Sequence, residues 1–439
     1  MTKKPIDKAM NKENIKLQSP KGMRDLIGEE YYRYQGFFEK AAEVAIYYGF
    51  QPIETPILES ESLFYHSVGA HTDIMEKELY ALKTKGGDRL ALRPEGTAPI
   101  MRAYFEHGLQ SQPQPVMLYY HGPFFRHDNP QKGRYRELRQ FGLEVMGSGK
   151  SITDALIIRL VTTILSEAGL KDLVVELNSI GDRDCRPIWK RELVNYYKKH
   201  AKDICADCRE RLKENPLRLL DCKNPKCQPI KAGAPSVISY LCAPCKQHFK
   251  EVLESLEAMD ITYTINNNLV RGLDYYSRTV FEVSLPNEGD PTLPGLALAG
   301  GGRYDYLAKS LGSKKPVSAV GAAIGADRVL EAPNVANLLP RLVKKPKVFF
   351  IQLGAEAKMQ SLSVIEILRH AKVPVAHSLS KDSLSTQLGM AEKLAIPYAM
   401  ILGQKEVIDR TVIVRDMRTR SQDIVAVTEL GNYLKTLKS

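Results

Sequence analysis

A strand pattern that breaks off and later resumes constrains the fold of this chain more than any other feature. Short apolar strands separated by turn-rich loops are predicted at 89–93, 116–120 and 140–145, followed by a helix at 154–168 and a strand at 173–177. Strand signals return at 279–283, and a glycine-rich turn at 299–303 leads toward the apolar residues 319–330. The pattern predicts an antiparallel sheet that the chain completes only after an inserted module, which we place near 181–255.

This inserted segment is also the most basic part of the chain. The 439 residues include 62 Lys and Arg against 51 Asp and Glu, and residues 181–250 alone have 16 against 8. A net charge of +11 favours a polyanionic partner such as nucleic acid or nucleotide phosphates. A solvated basic surface is the alternative interpretation of the segment.

Cysteines are concentrated in the same segment. Six of the seven form spaced pairs and Cys185 stands alone; the pairs are Cys205 with Cys208, Cys222 with Cys227, and Cys242 with Cys245. In a cytosolic chain this spacing favours a metal over disulfides. The two C-x2-C pairs, Cys205/Cys208 and Cys242/Cys245, are typical of a structural zinc site, because a two-residue gap lets both thiolates reach one tetrahedral ion. Six candidates overfill a four-coordinate site, so reduced thiols without a metal remain the alternative.

The N-terminal part of the chain divides into an arm, a helix and an extended segment. Residues 1–19 are polar and rich in lysine, so we expect a flexible arm. Apolar residues recur at helical spacing from Glu29 and Glu30 to Gly49, which predicts a long amphipathic helix. Residues 50–58 include two prolines, so they are expected to lie at a sheet edge or an interface, which fits a strand at a dimer seam.

The sequence has no feature of a membrane or secreted protein. No apolar run approaches the roughly 18 to 20 residues of a bilayer-spanning helix, and the first residues have no apolar region of the secretory kind. We therefore expect a soluble, cytoplasmic protein with no membrane partner.

After Pro340 the pattern changes to alternating strands and helices. Strands are predicted at 348–353, 398–402 and 411–414, and helices near 355–371 and 383–395. This alternation predicts a separate small α/β domain at 341–439, joined through the linker 341–347 to a domain at 20–340.

A loop between two strands has the composition of a phosphate-binding site. Residues 122–136 contain Arg126, Arg134 and Arg136 with a glycine between them, and an arginine at a strand end can donate a forked pair of hydrogen bonds to phosphate oxygens. A solvated basic turn is the alternative.

The returning strand places polar side chains on one face. Gln140, Gly142 and Glu144 share that face by the two-residue period, and Gly142 leaves space for a small polar ligand. Because Glu144 lies between Leu143 and Val145, a ligand or a cation must satisfy its carboxylate, and a structural salt bridge is the alternative.

Two further loops combine groups that packing alone does not require. Arg271-Gly-Leu-Asp-Tyr-Tyr-Ser-Arg278 contains cations, an acid and two adjacent tyrosines. Arg93-Pro-Glu-Gly-Thr97 offers the Glu95 carboxylate and the Thr97 hydroxyl at a turn where Gly96 permits close approach, which suits the ammonium group of a ligand. A helix with Thr97 as its N-cap is the alternative for the second loop.

From about Lys21 to the C-terminus, these motifs resemble the histidyl-tRNA synthetases, a family of class II aminoacyl-tRNA synthetases. Lys21-Gly-Met-Arg-Asp25 and the segment 52–56 resemble the start of the family and its dimer-interface motif, and Phe125-Arg126 with its loop resembles the second class motif. Gly321-Ala-Ala-Ile-Gly-Ala-Asp-Arg328 resembles the third. Arg271-Gly-Leu-Asp-Tyr-Tyr276 and Leu298-Ala-Gly-Gly-Gly-Arg-Tyr-Asp305 resemble segments peculiar to the histidine enzymes.

The resemblance implies a mixed α+β protein and a two-step reaction. The expected parts are an antiparallel-sheet catalytic domain, an inserted helical module that contacts the tRNA acceptor arm, and a C-terminal α/β anticodon-binding domain. The expected reaction activates L-histidine with ATP and Mg2+ to histidyl-adenylate and transfers histidine to the 3′ end of tRNA(His). The resemblance also implies a homodimer. Zinc is not implied, because other members lack the cysteines or retain only some of them.

The resemblance also implies roles for individual residues. Arg126 and Arg271 are the expected catalytic residues, the first at the α-phosphate and the substrate carboxylate, the second at the charge developing on the α-phosphate. Arg134 and Arg328 are expected to hold the ATP phosphates and adenine. The histidine-binding set comprises Glu95, Gly96, Thr97, Arg126, Gln140, Glu144, Arg271, Tyr275 and Tyr276, with Glu144 and the tyrosines around the imidazole. Gln131 and Arg136 match positions that touch the tRNA acceptor end.

Two alternatives belong to other functional classes. One is a catalytically silent paralogue, such as the regulatory subunit of ATP phosphoribosyltransferase, which binds histidine as a signal. That subunit typically lacks the anticodon domain and loses the arginine motifs, whereas Arg126, Arg271 and Arg328 are all present here. The other is a synthetase for a different amino acid, which would need a pocket different from Glu144, Tyr275 and Tyr276.

Overall fold

A computed structural model describes residues 17–69, 72–286, 294–341 and 343–437. Most of the predicted flexible arm, residues 1–16, lies outside the described residues. The chain divides into two compact units, residues 1–340 and 341–439. Each unit has its own hydrophobic core.

The first unit is built on a large, mainly antiparallel sheet with the strand order β1-β5-β6-β11-β10-β9-β7-β8. The strands are β1 (Gln51–Pro52), β5 (Val116–Phe125), β6 (Glu137–Met146), β7 (Val174–Ser179), β8 (Thr264–Ile265), β9 (Ser277–Pro286), β10 (Pro294–Arg303) and β11 (Ala319–Gly325). Only the short outermost strands β1 and β8 pair in parallel. The mixed α+β class with a sheet completed after an insertion is thus confirmed.

Helices cover the sheet and form the segment between β7 and β8. They are α1 (Glu29–Tyr47), α2 (Glu61–Val68), α3 (Thr97–Glu106), α4 (Ser151–Glu167), α5 (Arg186–Lys199), α6 (Ala206–Glu214), α7 (Gln228–Ala232), α8 (Ala243–Glu257), α9 (Leu307–Ser310) and α10 (Ala326–Glu331). The predicted amphipathic helix is confirmed as α1, which has two acids in its first turn and ends just before Gly49 at φ +89°.

The period of strand β6 separates the core from a polar face. Phe141, Leu143 and Val145 are fully buried in a cluster with apolar residues of α1 and α4. Residues two apart in a strand point the same way, so Gln140 and Glu144 lie on the opposite face. The hydrophobic face thereby anchors the strand, and the other face is left for polar groups.

Two predicted elements differ from the structure. Residues 299–303 do not form a turn, because they belong to β10, which pairs with β9 on one side and β11 on the other. Residues 89–93 form a strand, β4 (Arg89–Leu92), but it lies in a separate small sheet with β2 (Leu58–Ser60) and β3 (Ala81–Lys83). The segment 50–58 does reach a sheet edge, as predicted, because its residues Gln51–Pro52 form the outermost strand β1.

The second unit is a five-stranded mixed sheet with the order β13-β12-β14-β15-β16. Its strands are β12 (Val348–Gln352), β13 (Val375–His377), β14 (Tyr398–Leu402), β15 (Thr411–Asp416) and β16 (Gln422–Ala426), and its helices are α11 (Ala355–His370), α12 (Leu384–Lys393), α13 (Gln404–Asp409) and α14 (Leu430–Thr436). The three strands and two helices predicted here are present, while the short β13, β16, α13 and α14 were not predicted.

Within the described ranges, none of the helices combines the length and the apolar character that crossing a membrane requires.

Candidate active site

A cavity of about 200 Å³ opens on the polar face of the large sheet. It lies between α3, the loop after β5, the 271–276 loop and strands β9 to β11. Ten of the predicted site residues line it: Glu95, Gly96, Thr97, Arg126, Arg134, Gln140, Arg271, Tyr275, Tyr276 and Arg328. The structure thus brings together residues from positions 95 to 328 of the sequence.

Glu144, by contrast, is not among the residues that line the cavity, although its hydrogen-bond partner Thr97 is. The Glu144 side chain is 1% exposed, and it accepts hydrogen bonds from the Thr97 hydroxyl (2.8 Å) and from the Tyr304 hydroxyl. Burial raises the pKa of Glu144 to about 8, although these hydrogen bonds favour the ionised form. The group is therefore poised between its neutral and charged forms near physiological pH.

Two glycines determine how the residues around Glu144 pack. A Cβ on Gly321 would lie 1.7 Å from Glu144 Oε2, so only glycine leaves room for this carboxylate beside β11. A Cβ on Gly142 would lie 2.0 Å from the ring of Tyr120. The space that Gly142 was expected to leave for a ligand is therefore filled by Tyr120.

Glu95, rather than Thr97, caps helix α3. Its two carboxylate oxygens accept the backbone N–H groups of Thr97 (2.7 Å) and Ala98 (3.0 Å). The alternative in which Thr97 is the N-cap is thus wrong, because its hydroxyl turns to Glu144. Burial raises the pKa of Glu95 despite these hydrogen bonds. Each Glu95 oxygen has further acceptor capacity for a ligand.

Two tyrosines close the wall beside these acids. The rings of Tyr275 and Tyr276 lie 4.7 Å apart, and both residues are buried. The Tyr275 hydroxyl lies 3.4 Å from Glu95 Oε2 and donates to it. The wall is therefore aromatic with polar ends, a surface that suits a flat heteroaromatic ring.

Arg271 is held in place by an acid and a glycine. Its Nη1 donates to Glu282 Oε2 at 2.6 Å, and a Cβ on Gly300 would lie 2.4 Å from its guanidinium. Burial acts to lower the pKa of Arg271, but Tyr276, Glu282 and Asp221 outweigh it and the pKa is raised. The guanidinium is thus a fixed, permanently charged group at the cavity wall.

Three further arginines make the opposite side of the cavity cationic. Arg126 Nε donates to the Pro94 carbonyl (2.8 Å), Arg328 Nη1 donates to the Ala297 carbonyl (2.6 Å), and Arg134 pairs with Asp128. Burial lowers the pKa of Arg328, and the neighbouring Arg134 and Arg126 lower it further. These positive charges repel one another, and a polyanion bound among them would relieve that repulsion. This side of the cavity therefore suits a polyanion.

The two residues expected at the tRNA acceptor end are not among those that line the cavity. Gln131 and Arg134 exchange backbone hydrogen bonds of 3.1 and 2.8 Å in the tip of the loop. Arg136 donates through Nε to the Asp128 carbonyl at 3.0 Å. Both belong to the loop that rims the arginine side of the cavity, and their contact with tRNA stays a prediction.

The sequence analysis did not assign roles to Tyr304, Tyr120 and Glu282. Tyr304 lies inside the motif 298–305, but nothing in the sequence indicates that its hydroxyl reaches Glu144, 160 residues earlier. On β9, Glu282 lies between the buried Phe281 and Val283, so its side chain points to the opposite face of the sheet. This pattern could have indicated that Glu282 pairs with a cation on that face.

The structure divides the expected zinc quartet between two clusters. Cys205 and Cys208 lie with Cys222 and Cys227, whereas Cys242 and Cys245 lie with Cys185 and Asp182. In each cluster the potential ligand atoms lie within 4.8 Å of one another. The expectation of one site from the two C-x2-C pairs is therefore wrong, because the pairs stand at different places in the fold and each finds other partners.

Comparison with known proteins decides the family. The family model described as Histidyl-tRNA synthetase matches residues 22–181 and 236–329, and an Anticodon binding domain model matches residues 347–437. The chain belongs to the histidyl-tRNA synthetases. The first model thus matches both parts of the sheet, and its gap at 182–235 contains five of the seven cysteines.

Individual relatives agree with this assignment. A histidine--tRNA ligase of Dehalococcoides mccartyi is 40% identical over 413 residues, covering 94% of this chain and 98% of the relative. One from Desulfitobacterium hafniense is 41% identical over 406 residues, covering 92% and 95%. The crystal structure of apo Staphylococcus aureus histidyl-tRNA synthetase superposes with a TM-score of 0.78 at 29% identity, covering 96% of this chain and all of that one.

Proposed function

We propose that this chain is a histidine--tRNA ligase that activates L-histidine with ATP to histidyl-adenylate and then transfers histidine to the 3′ end of tRNA(His). The observation that carries the proposal is one cavity lined by four of the predicted arginines together with Glu95 and Thr97, whose hydroxyl donates to the buried Glu144. The acidic end suits an amino acid with two ring nitrogens, and the cationic end suits a nucleoside triphosphate.

The first step needs positioning and charge neutralisation more than a base. The histidine carboxylate is already an anion, and its oxygen attacks the α-phosphorus of ATP while the bond to the pyrophosphate oxygen breaks. We assign Arg126 to the α-phosphate and the substrate carboxylate, and Arg271 to the charge that develops on the α-phosphate. Arg134 and Arg328 hold the remaining phosphates and adenine. Mg2+ bound with ATP neutralises phosphate charge.

Recognition of histidine uses the opposite end of the cavity. Glu95, Thr97 and Gln140 take the ammonium group, while Gly96 permits its close approach. Glu144 accepts the imidazole N–H, and Tyr275 and Tyr276 line the ring. An amino acid without the ring nitrogens would leave Glu144 with only its Thr97 and Tyr304 hydrogen bonds, and the acceptor capacity meant for the imidazole would stay unmet, a penalty of about 1–3 kcal/mol or more. Discrimination of this kind does not need an editing domain.

Binding of tRNA is assigned to three parts of the chain. Residues 341–439 are the anticodon-binding domain, and the basic insertion near 181–255 contacts the acceptor arm. Gln131 and Arg136 contact the acceptor end from the loop that rims the cavity. The excess of Lys and Arg in the insertion supports this assignment, because cations neutralise phosphates of the RNA backbone.

The functional protein is a homodimer in the cytoplasm. The edge of the large sheet is β1, and exposed apolar side chains occur on the segments that follow it, among them Ile57, Leu58 and Tyr65. An open sheet edge and exposed apolar side chains close to it in sequence both favour covering by a second copy. We expect a native mass of about twice the 49.3 kDa chain by light scattering, and substitution of Ile57 and Leu58 by glutamate to yield monomers. A monomeric parent protein would contradict the dimer.

We also propose that the cluster of Cys205, Cys208, Cys222 and Cys227 holds a structural zinc ion. The Sγ atoms of Cys205 and Cys222 lie 3.9 Å apart, as do those of Cys208 and Cys227. Thiolates at about 2.3 Å from one tetrahedral zinc ion are separated by about 3.8 Å. Four protein ligands leave no open position, so this ion supports the insertion and takes no part in the reaction.

The test of the proposed function measures charging of tRNA with histidine against pH. The apparent kcat/KM for histidine is expected to rise above pH 7 and to level off above about pH 9, because Glu144 with its pKa of about 8 must release its proton to accept the imidazole N–H. Glu144→Gln is expected to lower this value about 10- to 100-fold, as for a lost hydrogen bond to a charged group.

The Gln variant also supplies the control, because its side chain does not titrate. Free imidazole loses its proton near pH 6.5, so both proteins gain activity below pH 7, but only the parent is expected to gain above it. Parallel profiles above pH 7 would remove Glu144 from imidazole recognition. Absence of charging at every pH, with histidine still bound, would favour the regulatory paralogue.

A further inference from the structure

The base of the insertion contains a second cluster of metal-ligating side chains. We propose that Asp182, Cys185, Cys242 and Cys245, here called the neck cluster, bind a zinc ion that joins the two chain segments leading into and out of the insertion. This site is distinct from the four-cysteine cluster, and zinc binding there does not depend on the proposed reaction, whereas its effect on the KM for histidine rests on the proposed function.

The geometry of the neck cluster suits one tetrahedral ion. Its four potential ligand atoms all lie within 4.8 Å of one another. Asp182 Oδ1 lies 3.4 Å from Cys185 Sγ and 3.9 Å from Cys242 Sγ. Zinc bound at about 2.3 Å to sulfur and about 2.1 Å to oxygen separates such ligands by about 3.6 Å. The observed distances lie on both sides of this value, so small shifts of the side chains complete the site.

Burial and charge around the cluster also fit a closed structural site. Asp182, Cys185 and Cys245 are 4%, 3% and 0% exposed. Three thiolates and one carboxylate exceed the charge of Zn2+ by two, and Arg278 Nη2 lies 3.5 Å from Asp182 Oδ2. The backbone N–H of Asp182 donates to Cys185 Sγ (3.4 Å), a contact that stabilises a thiolate. These groups would compensate the excess negative charge.

The position of the cluster gives the ion its role. Asp182 and Cys185 follow β7, where the chain leaves the sheet, and Cys242 and Cys245 begin α8, where it returns. The histidyl-tRNA synthetase family model has its gap at residues 182–235, which begins at Asp182 and ends shortly before Cys242. An ion here would therefore join the two ends of the segment that the model does not match and hold the insertion at a fixed angle to the sheet.

The neck is also connected to the histidine-binding wall. Arg186 donates to the carbonyls of Gly181 (2.9 Å) and Tyr276 (2.7 Å). The backbone N–H of Arg278 donates to the same Gly181 carbonyl at 2.8 Å. Because Tyr276 lines the cavity, loosening of the neck should disturb histidine binding before it disturbs ATP binding. The ion would thus act on the pocket indirectly, as a positioning element.

The competing explanation is a hydrogen-bonded cluster of neutral thiols. Cys245 Sγ lies 2.9 Å from Asp182 Oδ2, which is also the geometry of a thiol donating to a carboxylate. The two explanations differ in one property, since only the first requires a metal ion. Metal content therefore decides between them.

The experiment compares zinc per chain in three full-length proteins, purified without a histidine tag and dialysed against the same zinc-buffered solution. The neck variant is Asp182→Asn with Cys245→Ser, and the matched control is Cys205→Ser with Cys208→Ser. The neck variant should hold one zinc less than the parent, and the control should retain the neck ion. An equal zinc content in parent and neck variant would overturn the proposal, as would a parent whose only zinc is lost in the control.

A second measurement remains informative if the double variant folds poorly. The single variant Asp182→Asn keeps all three thiols and the shape of the side chain. With this variant, amide hydrogen exchange at 181–186 and 242–246 should accelerate at least about tenfold, and the KM for histidine should rise more than the KM for ATP. Removal of zinc from the parent with a chelator should reproduce these changes. Unchanged exchange after the chelator has removed all zinc would contradict the neck site.

Charging activity separates this proposal from the proposed function. A parent protein that charges tRNA but lacks the neck ion would leave the enzyme assignment intact and overturn only the neck site. A parent that binds the ion but fails to charge tRNA would do the reverse.

Discussion

Replacement of Arg271 by alanine should slow histidyl-adenylate formation by about 10²- to 10³-fold in single-turnover experiments, as expected for loss of one donor that stabilises the transition state. The guanidinium lines the cavity, and its position is fixed by Glu282 at 2.6 Å and by the absence of a side chain at Gly300. Because this charge acts mainly on the developing transition state, histidine binding should weaken only modestly.

Two further variants serve as controls for the Arg271→Ala measurement. Arg271→Lys keeps the charge but loses the planar fork, so its rate should fall between those of the parent and the alanine variant. Arg369→Ala removes an exposed arginine whose contacts, with Glu366 and His370, lie on or next to its own helix α11, and adenylation should not change. Single-turnover rates equal to the parent in Arg271→Ala would exclude a catalytic role for this residue.

Removal of residues 348–439 should separate the two steps of the reaction. The truncated chain is expected to form adenylate within about twofold of the parent rate, because the cavity lies in the first unit, which has its own hydrophobic core. Its kcat/KM for tRNA should fall at least about 100-fold, which corresponds to about 2.7 kcal/mol of lost binding. Parallel assays of pyrophosphate exchange and tRNA charging measure both values.

The truncation has two controls, one for folding of the truncated chain and one for tRNA binding by the separate second unit. The truncated chain should unfold cooperatively, and the separate fragment 341–439 should bind tRNA weakly without forming adenylate. Charging by the truncated chain at the parent rate would contradict the assignment of the second unit to the anticodon.

The sequence pattern predicted most of the architecture. The helix α1, the paired strands β5 and β6 and the alternating second unit follow from their apolar patterns. The glycines near 299–303 misled the prediction because glycine also serves close approach. In the structure Gly300 makes room for Arg271 within a strand. Strand β4 was assigned to the wrong sheet because pairing partners depend on tertiary contacts that periodicity does not encode.

In the candidate site, too, some features could be predicted from the sequence and others could not. Glu144 was singled out because a carboxylate between two apolar residues needs a partner, and the structure provides Thr97 and Tyr304 as that partner. Tyr304 could not be found in this way, because its contact with Glu144 spans 160 positions. The cysteines show the limit most clearly, since local C-x2-C spacing predicted one site and the chain path produced two clusters.

The most direct test of the central claim is ATP–pyrophosphate exchange by the purified protein with Mg2+, with each of the twenty amino acids supplied separately. We expect exchange with histidine alone, because we assign Glu144, Tyr275 and Tyr276 to recognition of the imidazole ring. Exchange with a different amino acid would mean that the pocket has been assigned to the wrong substrate. Histidine binding without any exchange would contradict the account and favour a regulatory protein built on the same fold.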